Sequence, residues 1–251
     1  MSEDYNFNKV LDEVKGMKKT LSFFSPSKGK MEKIYPLSLK QQKVIIENSL
    51  SSSLSILFFN NCIYDIINEN YEGNINDLNT LDRVSICLTL RQKIKDSYTD
   101  ENDNEVSLEK IIKSIKDEIS IEDKVIELED FKFHLSIPNL TIDNKINKLL
   151  LNKYKNKKID DNNIKNVVSD LYVYESIKFI DKFEIYGDKV TTINVKENIN
   201  DSIQIFNEID SDIFKEVYDY INILRDGEAS LAKTPDGSDN VYITPDFFIV
   251  Q

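Results

Sequence analysis

The chain has 251 residues, 40% of them apolar and 30% charged, with a formal net charge of −12. It is long enough to bury one large core or two small ones, too apolar to stay disordered, and too acidic for nucleic acid to be its main ligand. Six Gly and five Pro exclude collagen-like and linker-like architectures.

Charge is laid out in blocks. Between Lys15 and Lys43 eight Lys stand against Glu32 alone, and from Asp96 to Asp130 thirteen acids stand against four Lys. Residues 145–165 turn basic again, and beyond Asp170 the chain is acidic. Such blocks are solvated faces or complementary docking surfaces. Cys62 and Cys87 lie in apolar helical contexts and read as buried, reduced thiols. The first residues, MSEDYNFNKVLDEV, are acidic and amphipathic, unlike a signal peptide. The longest apolar stretch, Leu54 to Ile67, is interrupted by Asn60 and Asn61 and is too short to span a bilayer. The expectation is a soluble protein of a cytoplasm.

In chain order, residues 1–19 read as an amphipathic helical arm with Phe7, Val10, Leu11, Val14 and Met17 on one stripe. Two short apolar runs flank Pro26-Ser27-Lys28-Gly29, a hairpin signal. Helices follow from Ser38 and over Ser53 to Asn68, and NYEGNIND interrupts the pattern. Leu81 to Lys95 and a segment from Ser107 are again helical, separated by a solvated loop over Thr99 to Glu105. Lys124 to Ile137 switches to alternation and predicts two strands with a tight turn, ended by Pro138.

Residues 152–163 are polar, rich in Lys and Asn, and make the best domain boundary, dividing an α+β part (20–151) from a mostly helical one (164–251). Beyond it come a helix from Ile164 to about Phe179 and a strand pair turning at Gly187-Asp188. One long helix is then expected from Asp201 to Arg225, and the tail reads as loop, strand and apolar end. The fold class is α+β: helix-rich, with an N-terminal hairpin, a central short strand pair and a C-terminal helical part.

Catalytic patterns are missing. His134 is the only histidine and sits in an alternating strand, so it reads as structural. Two isolated Cys and one His do not build a zinc site at any standard spacing. No phosphate-loop or dinucleotide fingerprint is present. The acidic pairs Glu101/Asp103 and Asp210/Asp212 lack the Gly and bidentate Glu of a calcium loop. No enzyme, cofactor or metal is expected.

Two motifs and their order carry a resemblance. Pro26, Ser27, Gly29, Lys30, Ile34, Pro36 and Leu37 follow a P-S-x-G-K hairpin pattern, and Asp82, Ile86, Leu88, Leu90 and Arg91 follow a D-x-x-x-h-x-h-x-L-R helix pattern, where h is apolar. A strand pair, VIELEDFKFHL, an acidic helix and a terminal Phe-Phe come after them in the same order. In this the chain resembles the baseplate hub subunit and assembly protein family of T-even-type contractile-tailed phages, over most of residues 22–249. It departs from the pattern at Tyr35, where Arg is usual, at Gln41-Gln42, where acids are usual, and after Arg91, where S-V-G is not kept.

The resemblance implies a structural or assembly subunit of the central baseplate hub, assembled in the host cytoplasm and carried in the virion. An alternative is a tail assembly chaperone absent from the mature particle. Implied partners are other hub proteins and the tape-measure protein, with no nucleic acid or membrane. Partner-binding candidates are the basic hairpin (Lys28, Lys30, Lys33, Tyr35) and the terminal Phe247 and Phe248, which either join an interface or close the protein's own core. Independently of the resemblance, Gly29 should serve a turn needing positive φ, Asp82 should cap or pair with a neighbouring helix, and Arg91 should be a surface or half-buried pairing residue.

Overall fold

A computed structural model describes residues 6–49, 54–99, 104–115, 122–157, 164–234, 237 and 241–248. The protein is α+β, with nine α-helices and three small antiparallel sheets among the described residues. Helix α1 (Phe7–Gly16) precedes the hairpin β1 (Leu21–Ser25) and β2 (Lys30–Ile34). The hairpin's loop is Pro26 to Gly29, and Gly29 sits at φ 62°, where a Cβ would be strained. Its amide donates to the Ser25 carbonyl at 2.9 Å.

Helices α2 (Leu39–Ser49) and α3 (Ser55–Asn70) lead to α4 (Thr80–Ile94). Helix α4 is buried on nearly every side from Thr80 to Arg91, as expected of a helix enclosed by its own domain. A small ribbon, β3 (Ser97–Thr99) with β4 (Glu105–Ser107), and α5 (Leu108–Ser114) complete the first core. The tail returns to this core: Leu231, Ala232, Val241, Phe247 and Phe248 pack against α3 and α4 residues such as Phe59 and Leu88.

The second core is built on a four-stranded sheet in the order β5 (Lys124–Glu127), β6 (Phe131–Leu135), β7 (Ile180–Tyr186), β8 (Val190–Asn194). Phe133 lies opposite Phe183 across β6 and β7, their rings 6.0 Å apart. Helices α6 (Leu140–Tyr154), α7 (Ile164–Ile177), α8 (Ile199–Glu208) and α9 (Ser211–Ser230) supply the rest. Phe206 of α8 meets Phe183 edge-on at 5.4 Å.

Two expectations need correction. The single helix over 201–225 is two helices. Ile209 and Asp210 are extended, with ψ 135° and 138°, and the Asp210 carboxylate accepts the Asp212 amide at 2.9 Å. The Asp-Ser-Asp sequence makes a better N-cap than a helix interior, and it wins over the continuous apolar stripe. The boundary at 152–163 also does not divide the protein into two folding parts. Its first residues finish α6, its remainder from 158 lies outside the described residues, and β6 before it pairs with β7 after it. The cores divide instead between α5 and β5, with α3 in the first core and reaching the second through Leu57 and the Leu54 that precedes it. The part beyond the boundary therefore owns half of the sheet.

Candidate functional site

The hairpin is tied to α4 by one carboxylate. Asp82 is fully buried. Its Oδ1 accepts the Ser25 hydroxyl at 2.7 Å and the Ser27 amide at 3.2 Å. Its Oδ2 accepts the Ser27 hydroxyl and, at 2.8 Å, the Asn79 amide. Asn79 in turn accepts the Leu81 and Asp82 amides, which closes a reciprocal N-terminal cap. The two motif segments, 55 residues apart at Ser27 and Asp82, thus meet in space.

Arg91, about two and a half turns further along α4, holds the tail. Nε donates to the Phe247 carbonyl at 2.6 Å, Nη1 to Lys95 at 2.7 Å and Nη2 to Ser97 at 3.1 Å. The guanidinium is buried and satisfied by carbonyls, and burial lowers its pKa.

The proposed docking residues lie differently from the expectation. Phe247 and Phe248 are 1% and 5% exposed and close the first core, so neither is a surface anchor. Lys28 is not a free surface charge: Nζ donates to the Tyr71 hydroxyl at 2.9 Å and faces Glu32 at 3.5 Å. The Tyr71 contact and the acids around it raise the Lys28 pKa. Lys30 also pairs with Glu32, at 3.1 Å. Burial alone pushes Glu32 up, but these lysines and the Tyr71 hydroxyl outweigh it, leaving its pKa lowered.

Only Lys33 of the three lysines is exposed without a carboxylate partner among the described residues. Tyr35 is half-buried, and its amide donates to Asn70 at 2.9 Å. Lysines expected to face an acidic partner thus neutralise an acid of their own hairpin. Reversing Lys28 disturbs the fold as well as the surface.

Sequence reading missed the most elaborate polar constellation, a buried ionic junction between the two cores. The starts of α4 and α6 lie side by side: the Thr80 amide donates to Pro138 at 3.0 Å and the Leu140 amide to Leu78 at 2.9 Å. Each helix is capped by an Asn, Asn79 and Asn139. One turn inside each cap stands a charge, Arg83 and Asp143, so the paired caps bring them together at 3.1 Å. Asp143 Oδ1 also meets Lys178 Nζ at 3.0 Å, and Oδ2 accepts the Tyr64 hydroxyl. Lys178 follows the last turn of α7, where a cation is favoured by the helix dipole.

Burial alone would push Asp143 up. Lys178, Arg83 and the Tyr64 hydroxyl outweigh it, so its pKa is lowered. Burial pushes Tyr64 up; burial would lower Lys178 and Arg83, but Asp143 and Glu175 raise Lys178, and Tyr64 and Asp143 raise Arg83.

Glu228 of α9 faces the same junction beside a cavity of about 420 Å³ lined also by Arg83, Arg225, Lys233 and Tyr242. Part of the residue reaches the surface, but its Oε1 is inaccessible and unpaired among the described residues. Burial, with Asp143 and Glu175 adding to it, raises its pKa to about 7 against the pull of Lys178 and Arg83. A raised carboxylate holds an extra proton in the folded state, so stability falls as pH rises from about 4.5 to 7. We expect urea titrations to show a loss on the order of 2 kcal/mol over that window. Glu228→Gln should flatten that part of the profile, and an unchanged slope would place Glu228 in water.

The signal for this junction was present but weak. Asp82-Arg83 puts two charges at the start of a largely apolar run, Val84 to Leu90, and Lys178 sits inside Ser176-Ile177-Lys178-Phe179-Ile180. Cys62 and Cys87 are buried and unbridged, their thiols pushed up by burial to about 11 and about 12. His134 bridges to Glu184 across β6 and β7 at 3.3 Å. No group of three or more His, Cys, Asp or Glu side chains among the described residues is placed to hold a metal ion. No helix among the described residues is long and apolar enough to cross a membrane. Comparison with protein-family models, with curated proteins and with solved structures gave no match for this chain.

Proposed function

We propose that the chain is a structural or assembly subunit of the central baseplate hub of a contractile phage tail, acting by shape and charge complementarity without turnover. The observation that carries this reading is the meeting of the two resemblance motifs at Asp82, where the P-S-x-G-K hairpin is fastened to the D-x-x-x-h-x-h-x-L-R helix. A further support is α1, whose apolar stripe has no counterpart in either core of its own fold. Its partners on this reading are other hub proteins and the tape-measure protein, and its place is the tail baseplate of the virion.

The test is to assemble particles in cells lacking this chain and to examine their tails by electron microscopy. Tails without a completed baseplate are the expected result, and normal contractile tails would refute the role. Quantitative mass spectrometry of purified wild-type particles decides whether the chain remains. A few copies per particle supports a hub subunit, and none supports an assembly chaperone.

A further inference from the structure

Two features at opposite ends of the chain are left unfilled, and their chemistry is complementary. The first is α1. Phe7, Val10, Leu11 and Val14 lie on one side of it, with Met17 just beyond its end, and all are exposed, from 38% at Leu11 to 73% at Met17. A ten-residue helix is marginal alone in water, and here neither core covers its stripe. Residues 6–19 carry four lysines against Asp12 and Glu13. Lys9, Lys18 and Lys19 are exposed.

The second is an aromatic pocket of about 450 Å³ between α7 and the α8–α9 break. Tyr172, Phe214 and Tyr218 form its wall, Phe206 lies beneath them, and Ile209 sits at the break. Tyr172 is 42% exposed although its ring packs, tilted, 4.8 Å from Tyr218. The pocket exists because α8 and α9 are not one helix: the Asp210 cap turns the chain and opens the groove. Its surroundings are acidic, for Glu208, Asp210, Asp212, Glu216 and Asp219 are all exposed on these helices against Lys215.

We propose that α1 of one copy docks in the aromatic pocket of a second copy, so that the chain self-associates head to tail. The apolar stripe supplies the anchor side chains, and the lysines of the arm face the exposed acids around the pocket, whose own charged lining residue is Lys215. The contact joins two different surfaces, so it builds a closed ring where the rotation permits and an open chain where it does not. It stands independently of the baseplate reading.

The experiment measures the mass of the full chain by light scattering at about 50 μM, a level suited to a contact of modest strength. It compares wild type with Phe7→Ser/Val14→Ser in the arm and Tyr172→Ser in the pocket. Wild type should be oligomeric and each variant a folded monomer. An equimolar mixture of the two variants should recover a dimer and no larger species, because one supplies an intact arm and the other an intact pocket. A fluorescent peptide of residues 6–19 should bind the arm variant, about tenfold more weakly after Tyr172→Ser is added. Binding should also weaken with rising salt and with Lys9→Glu/Lys18→Glu/Lys19→Glu in the peptide.

Ser169→Arg, at an exposed position on the pocket's edge, is the substitute should Tyr172→Ser unfold. A monomeric wild type would overturn the proposal. So would an oligomer that needs the arm but survives both pocket variants, which would mean that arms pair with arms or that α1 docks elsewhere.

Discussion

Asp143→Ala should be among the most destabilising single substitutions in this protein, by about 3–5 kcal/mol. The carboxylate lies between Lys178 at 3.0 Å and Arg83 at 3.1 Å and accepts the Tyr64 hydroxyl. Its loss takes from buried Lys178 one of two carboxylates, the other being Glu175 at 2.5 Å. It leaves half-buried Arg83 and the buried Tyr64 hydroxyl facing an empty space. Such a cost is a large share of the roughly 5–15 kcal/mol that stabilises a typical domain. In a chain of this length it should lower the melting temperature by about 10 °C.

The pH dependence follows from the lowered pKa. A depressed carboxylate contributes stability that is fully present above its unfolded value, about 3.9, and is lost as pH falls through the folded value. The wild-type advantage over the variant should therefore hold from pH 8 to pH 5 and shrink only under more acidic conditions. Combining Asp143→Ala with Lys178→Met and Arg83→Met should recover part of the loss, because no cation is then left facing the missing carboxylate. Urea denaturation of the set measures both effects. A cost for Asp143→Ala below about 1 kcal/mol, the range of exposed ion pairs, would show that water reaches the junction.

Asp82→Ala should cost about 3 kcal/mol, and its effect should be local before it is global. Four donors lose their acceptor at once: the Ser25 and Ser27 hydroxyls and the Ser27 and Asn79 amides. Two consequences are expected, an uncapped α4 and a hairpin no longer fastened to it. Hydrogen exchange reads the difference. The Lys28 and Gly29 amides, both bonded to the Ser25 carbonyl, should exchange faster relative to wild type than the amides of β6 and β7. Equal acceleration in both places would mean that the cap sustains the whole fold and not the hairpin in particular. Asp82→Asn should rescue little, since it replaces one acceptor by a donor facing other donors.

What the sequence determined by itself was local. The hairpin with Gly29 at positive φ, the alternation of β5 and β6, the turn at Gly187-Asp188, the helical segments and the α+β class all follow from periods of two or 3.6 and from turn residues acting on near neighbours. The capping role of Asp82 is of the same kind, because its cap partner is three residues away. The split between α8 and α9 was also legible in principle, in Asp210-Ser211-Asp212, but a continuous apolar stripe reads more strongly than one cap.

Only the tertiary structure decided which elements share a core. Residues 152–163 have the composition of a linker, yet backbone hydrogen bonds pair β6 with β7 across them, and composition carries no record of pairing. Phe247 and Phe248 could serve a surface or an interior with equal chemistry, and the Arg91 clamp puts them inside. Lys28 and Lys30 read as free positive charge until the folded turn and β2 set Glu32, four and two residues further on, beside them. The junction of Tyr64, Arg83, Asp143, Lys178 and Glu228 draws on four helices and the turn after α7, and each of its charges is ordinary in its own segment. Burial turns them into a network, and burial is a property of the whole packed chain.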